Sequence, residues 1–366
     1  MAKLDCPLQL SPVWKPKIWG RPNLDPLFSW PGSETKAASA RGIRTKSATR
    51  EKELIGEVWI TDDQSRFLNG APAGLTLAEA SAKYGSELHG SAWKWPRFPL
   101  LAKYIFTSDW LSVQVHPDDD YAREHDPGNL GKCEMWYFVK SDRRAAILMG
   151  LKSGVDKDEL RAAFEQGTSR QFLRKFHPQA GEAAFVPPGL VHALGPGLVL
   201  FEVEENSDLT YRLDDFGRVG LDGKPRPLHL KKGLDVTRLD APALRNLPRL
   251  KFREPYGWRR IVLACRYFAL EELTVEKSTA WEGSPERVEL FSMIDGQGRV
   301  ETSTGWMGYH RGDTWLIPPA TGRYRLVPVR KTRLLKFYVP DPERDCRRAL
   351  LQRGMPREKI DWVCFN

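Results

Sequence analysis

The sequence predicts a mainly β protein made of two related β units, the first interrupted by a small helical insertion. Tryptophan, proline and glycine are abundant, at 13, 27 and 30 of 366 residues, and short apolar runs such as LVLFEVE and DTWLIPP end at turn formers. That is the pattern of strands and turns rather than of long helices. Two stretches also echo each other: GEAAFVPPG from Gly181 and GDTWLIPPA from Gly312 both read as turn, strand, turn. Each follows a related strand, EMWYFV from Glu134 and ELFSMI from Glu289.

Taken in chain order, residues 1–240 form the first unit with an N-terminal arm, and residues 241–366 the second unit with a C-terminal tail. The interval between the paired motifs is longer in the first unit, and residues 153–176 account for the excess. This segment is read as helical, because Asp156 can cap it, Glu159 follows three residues later, and Leu160, Ala163 and Phe164 share one face. Beyond Tyr338, the tail reads as a short basic helix, a glycine turn and an apolar anchor.

Composition narrows the function. With 41% hydrophobic residues the chain can build substantial cores, so a disordered protein is excluded. No apolar stretch has the length needed to cross a bilayer, and MAKLDCPLQL lacks the core of a secretion signal, so a cytoplasmic protein is expected. The cysteines, Cys6, Cys133, Cys265, Cys346 and Cys364, form no CxxC pair and are expected to be reduced. The net charge of +9 is spread along the chain, densest at residues 40–52 and in the tail. It reads as solvated loops and a helix face that also attract small phosphorylated substrates. No helix-turn-helix or zinc-finger signal is present, so no nucleic-acid partner is expected. A monomer or homodimer is anticipated.

One constellation points to chemistry. In LSVQVHPDD, Gln114 and His116 stand two apart on an extended chain and so share a face. Glu134 opens the next strand motif, and His192 follows the Pro-Pro-Gly turn of FVPPGLVHAL. An amide oxygen, two imidazoles and a carboxylate suit zinc, manganese, iron or cobalt better than a thiolate-selective metal, and a barrel would let the four converge. Carrying the motif offset from His192 into the second unit lands on Arg323, so the second unit is expected to be metal-free.

These residues sit in segments, FPLLAKYI, LSVQVHPDD, GKCEMWYF, PPGLVHAL and FEVEENSDLTYRLDDFGR, that resemble the type I mannose-6-phosphate isomerases, which are metal-dependent cupins. Upstream, WKPKIWGRPNL and GEVWITD are similar to that family's early segments, and RYFALEEL with GDTWLIPP to its second lobe. The likeness covers roughly residues 14–338 and matches the short bacterial form. It departs from the pattern at Arg21, where a second glycine is common, and in the tail. The resemblance implies two cupin (jelly-roll) lobes, a single divalent ion, usually zinc, on Gln114, His116, Glu134 and His192, substrate-site roles for Ser112 and Lys132, and positions around the reacting sugar for Glu202, Asp208 and Arg212.

The implied reaction interconverts mannose 6-phosphate and fructose 6-phosphate, moving a proton between C1 and C2 through an enediol. It needs a base, an electrophile and a phosphate anchor. Glu202 is the favoured base, with Lys132 the alternative should its pKa be lowered. Arg212 can grip two oxygens at once, Ser112 can hold a phosphate oxygen, and Asp208 can orient Arg212 or act as a second acid. Two other functions compete: a cupin Fe(II) oxygenase, since two histidines and a carboxylate also hold iron, and a non-catalytic sugar-phosphate sensor.

Overall fold

The computed structural model describes residues 4–28, 53–92, 97–242, 244–245 and 247–365; the basic group at 40–52 lies outside them. Three antiparallel sheets of seven, five and nine strands make up the fold. The seven-stranded sheet runs Leu244–Arg245, Ala183–Val186, Glu134–Ser141, Leu198–Glu205, Leu100–Phe106, Ile55–Trp59, Val13–Arg21. The five-stranded sheet, Tyr211–Asp214, Val113–Val115, His192–Leu194, Ile147–Leu151, Leu173–Phe176, faces it. Ile105, Trp136 and Leu200 from one sheet and Ile147, Met149 and Leu194 from the other fill the space between them. This is the sandwich that alternating inward and outward side chains produce.

The second lobe is the nine-stranded sheet. Its main path is Leu8–Leu10, Thr314–Ile317, Glu289–Thr302, Arg323–Tyr338, Ala269–Val275, Gly257–Ala264, Leu250–Glu254. Two of these strands are long, 14 and 16 residues. Their pairing register slips repeatedly between Met293 and Gly298, where the strands bend and begin to pair with Gly305–His310 and Thr279–Glu282. Gly296 sits in this bend at φ +104°, and a Cβ there would lie 2.7 Å from the Thr332 Cα. Phe291, Met293, Trp315, Tyr324 and Leu326 fill the lobe's interior.

The strand order of the two main sheets is the same, and the sequence echo is structural. Glu134 lies opposite Val186, and Glu289 opposite Ile317, at matching places in the two motifs. The lobes stack back to back. Tyr104, Tyr137 and Phe201 on the outer face of the seven-stranded sheet meet Leu270, Leu335 and Phe337 of the second lobe. The Phe201 and Phe337 rings stand 5.3 Å apart, and Tyr104 shares a hydrogen bond with Ser292 at 2.6 Å. Burying a side chain of this size contributes about 1.5–3 kcal/mol. The lobes also exchange edge strands: Leu8–Leu10 pairs with Thr314–Ile317, while Leu244–Arg245 pairs with Ala183–Val186.

The insertion is helical over Lys157–Glu165, with both halves of the capping box formed by Asp156 and Glu159. Leu160 and Phe164 pack on the outer face of the five-stranded sheet. Its last residues differ from the sequence expectation, because Leu173–Phe176 pairs with Ile147–Leu151 as the sheet's edge strand. In the tail, Pro342–Arg348 and Ala349–Leu351 lead to a turn at Gly354, and Phe365 stacks on Phe185 of the first lobe at 4.7 Å. The Asp156→Ala variant, which deletes a cap without touching the core, is expected to lose about 1 kcal/mol in a urea titration while retaining its catalytic activity.

Candidate metal centre and active site

Sheet register builds the site. Gln114 is paired with His192 on one neighbouring strand and with Arg212 on the other, and directly paired residues present their side chains to one face. His116 follows at the end of the strand, within reach of the same interior. On the facing sheet, Glu134 is paired with Glu204, and Glu202 lies between Trp136 and Lys103. The sandwich therefore aims one row of donors at another across its open end.

Backbone carbonyls fix the imidazoles. His116 Nδ1 donates to the Leu209 carbonyl at 2.9 Å, and His192 Nδ1 to that of Leu190 at 2.8 Å. Each ring then presents a bare Nε2 lone pair. These point at Glu134, at 3.7 Å for His116 and 3.3 Å for His192, and one donor atom from each of the three lies within 4.8 Å of the others. Burial holds His116 well below the usual histidine pKa, with Lys132 adding to the effect, and burial also lowers His192 despite nearby Glu134. Both rings are thus favoured in the neutral form. His116 Nε2 and both Glu134 carboxylate oxygens are sealed from solvent without a hydrogen-bond partner. Buried polar atoms left in this state call for a cation.

Gln114 lies beside the group. Its Nε2 faces His192 Nε2 at 3.2 Å, while Ser112 Oγ donates to its Oε1 at 3.3 Å. The two ends of a carboxamide have the same shape, so a half-turn brings the oxygen to the imidazoles.

Above this group lies a cavity of about 450 Å³ whose floor is a charge network. Lys103 Nζ stands 3.2 Å from Glu202, 3.0 Å from Glu204 and 3.5 Å from Asp208. Lys132 Nζ stands 3.0 Å from Glu134, 2.9 Å from Glu204 and 3.9 Å from Glu202. Burial opposes the charge on both lysines, but the carboxylates outweigh it and raise both pKa values, so the ammonium groups persist. Burial likewise pushes Glu202 up, while Lys103 and Lys132 bring it below the usual range. Glu202 stays a carboxylate, its second oxygen accepting the Trp136 indole N–H at 2.8 Å. Glu204, the most enclosed of the set, is driven upward by burial.

The structure brings Ser112, Gln114, His116, Lys132, Glu134, His192, Glu202 and Arg212 to one cavity and its floor. Asp208 also lines it, but against Lys103 rather than orienting Arg212. The chain turns after Glu205, and that places Asp208 over the lysine. Arg212 is held by the Pro227 carbonyl at 2.9 Å, with its Nε buried and without a hydrogen-bond partner. His229 accepts the Arg212 backbone N–H at 3.1 Å. Lys103, Glu204 and Arg226 escaped the sequence reading. A lysine inside the apolar run LLAKYIF and an acid two residues beyond Glu202 were available signals; Arg226, in a loop, offered none.

Fold and site together define a cupin with a buried histidine–carboxylate metal group beneath a cationic cavity. The model of the type I phosphomannose isomerase catalytic domain matches residues 8–135. Mannose-6-phosphate isomerase ManA of Bacillus subtilis is 32% identical over 324 residues, 87% of this chain and 95% of that one. The mannose-6-phosphate isomerase of Streptococcus mutans is 34% identical over 271 residues, 73% and 83% of the respective chains. Among solved structures, the mannose 6-phosphate isomerase from Bacillus subtilis superimposes with a TM-score of 0.77 at 26% identity, covering 91% of this chain and 99% of that one. A zinc-bound mannose 6-phosphate isomerase structure shares the fold at a TM-score of 0.68 and 14% identity, over 91% of this chain and 99% of its own. The chain belongs to the type I phosphomannose isomerase family.

The network makes Lys103 a stability determinant as well as a cavity residue. Replacing it with methionine leaves Glu202 and Glu204 facing each other in a buried site, and a loss of about 3–5 kcal/mol is expected in a denaturant titration.

Proposed function

We propose that the protein interconverts mannose 6-phosphate and fructose 6-phosphate, with Zn2+ held by Gln114, His116, Glu134 and His192. The observation that carries this is the pair of bare imidazole nitrogens aimed at the buried Glu134, whose one ion-pair partner besides them among the described residues is Lys132, beneath a cavity lined by Lys132, Glu202 and Arg212. A bound zinc ion supplies Lewis acidity, polarising a sugar oxygen and stabilising the negative charge of the enediolate.

The remaining chemistry falls to side chains of this chain. Glu202 is the group placed to accept the proton shuttled between C1 and C2: it is ionised, fixed by Trp136 and open to the cavity. Lys132 is the less suited base, since its carboxylate neighbours keep it protonated; as an ammonium it donates to a sugar oxygen as charge develops there. Arg212, which lines the cavity and has no carboxylate partner among the described residues, is the guanidinium for anionic substrate oxygens, with Arg226 beside it on the cavity wall. Ser112 and Asp208 position the substrate, the first with a hydroxyl donor and the second as an acceptor at the rim. Residues 1–240 are the catalytic lobe in this reading, and residues 241–366 a metal-free second lobe.

The oxygenase reading loses ground because Lys103, Lys132, Arg212 and Arg226 around the cavity suit a phosphorylated ligand and serve no general need of oxygen chemistry. The sensor reading gains no support from the relatives, whose names are those of enzymes. No helix among the described residues is long and apolar enough to cross a membrane. The five free cysteines accord with a reducing cytoplasm.

Purified protein loaded with zinc is expected to convert mannose 6-phosphate in a coupled assay. A chelator should abolish turnover, and added zinc should restore it. His116→Ala and Glu134→Ala should lose both bound zinc, measured by elemental analysis, and activity; isomerisation surviving in both would refute the metal mechanism. Arg212→Lys, which keeps the charge but not the fork, should lower kcat/KM by about 10–100-fold.

A further inference from the structure

The second lobe has a cavity of its own, about 290 Å³, and strand register identifies its counterpart. In the first lobe, Glu202 lies between Trp136 and Lys103; in the second, Lys336 lies between Phe291 and Glu271. One strand further out, Glu57 is opposite Ile105 in the first lobe, and Arg259 opposite Leu273 in the second. Glu202, Lys103 and Glu57 line one cavity, and Lys336, Glu271 and Arg259 the other. At all three positions the sign of the charge is inverted.

The inversion changes what the cavity can recognise. Arg259 grips Glu271 through two hydrogen bonds of 2.7 Å each, and Lys336 Nζ stands 2.7 Å from Glu289. Glu289 is the counterpart of Glu134, and its cation neighbours among the described residues are Lys336 and Arg287, with no imidazole. Arg353 satisfies Glu254 at 2.6 Å. Each of these charges has an opposite partner, and the one lining acid without an ion-pair partner among the described residues, Glu282, lies exposed, so the inner wall has no surplus to bind a metal ion or a phosphate.

The rest of the wall is aromatic. Trp281 stands edge-on to Tyr256, Phe291 and Tyr324, with ring centroids 5.3, 5.6 and 6.1 Å apart. Tyr324 is 2% exposed, yet neither its hydroxyl nor that of Tyr256 has a hydrogen-bond partner among the described residues. Burial raises the Tyr324 pKa, so the hydroxyl keeps its proton as a donor. Aromatic faces, idle hydroxyls and carboxylates held rigid by their counter-ions suit a ring with apolar faces and a polar edge.

We propose that the second-lobe cavity binds an uncharged monosaccharide, its ring against the aromatic wall and its hydroxyls on Tyr256, Tyr324, Glu271 and Glu289. The volume accommodates one sugar ring and lies at the small end for ligand sites. An ammonium ligand could use the aromatic faces, but the carboxylates of the inner wall already hold cations of their own, Arg259 on Glu271 and Lys336 on Glu289.

The test is a calorimetric titration of the full-length protein with D-mannose, repeated in variants of each lobe. A saturable site should persist in His116→Ala, which alters the first cavity. Tyr324→Phe removes a single oxygen and should weaken it about tenfold, as expected for one buried hydrogen bond, with mannose 6-phosphate turnover unchanged. Trp281→Ala should weaken it at least as much, with the fold checked by circular dichroism. The proposal is overturned if no site with Kd below about 10 mM is found, if His116→Ala abolishes binding while Tyr324→Phe does not, or if tetramethylammonium binds in preference to mannose.

Discussion

Two imidazole lone pairs and a carboxylate, buried together, repel one another unless a cation sits among them, and much of the first lobe serves to hold them in that arrangement. The carbonyls of Leu209 and Leu190 set the tautomers, the sheet register sets the facing, and burial keeps both rings neutral. The lysines above belong to the same constraint. Lys132 balances Glu134 and Glu204, and Lys103 balances Glu202 and Glu204, so the site tolerates several carboxylates in a small space. With the lysines so paired, Arg212, which has no carboxylate partner among the described residues, is the cation of the lining left for a phosphorylated sugar.

Much of this was legible in the sequence because it is local. The two-residue spacing of Gln114 and His116 announces a shared face, and the Asp156–Glu159 spacing announces a helix start. The echo between the Gly181 and Gly312 motifs announced the duplicated architecture. What stayed hidden depends on pairing across the fold. Lys103 becomes meaningful only beside Glu202 on the neighbouring strand, and Asp208 turned toward that lysine rather than toward Arg212. Residues 173–176 looked like the end of a helical insertion, yet the open edge of the five-stranded sheet captured them as a strand. Tertiary pairing overrides local propensity most easily in such short segments.

The duplication also shows how one scaffold diverges. The same strand order and the same inward positions carry a metal group in one lobe and neutralised ion pairs in the other. At three inward positions the charges are inverted, from Glu202, Lys103 and Glu57 to Lys336, Glu271 and Arg259, and in the second cavity these pair with one another and with Glu289. The back-to-back apolar interface, centred on Phe201 and Phe337, is indifferent to that change, so each interior could be altered without loss of the whole.

The reciprocal exchange of edge strands has a consequence for biogenesis. Leu8–Leu10 is synthesised long before Thr314–Ile317, its partner. The early lobe in turn waits for Leu244–Arg245, encoded past its own end, before its outermost edge is covered. Each lobe borrows an edge strand encoded with the other, so a protein severed between the lobes would present raw β edges on both fragments, inviting them to pair with strangers.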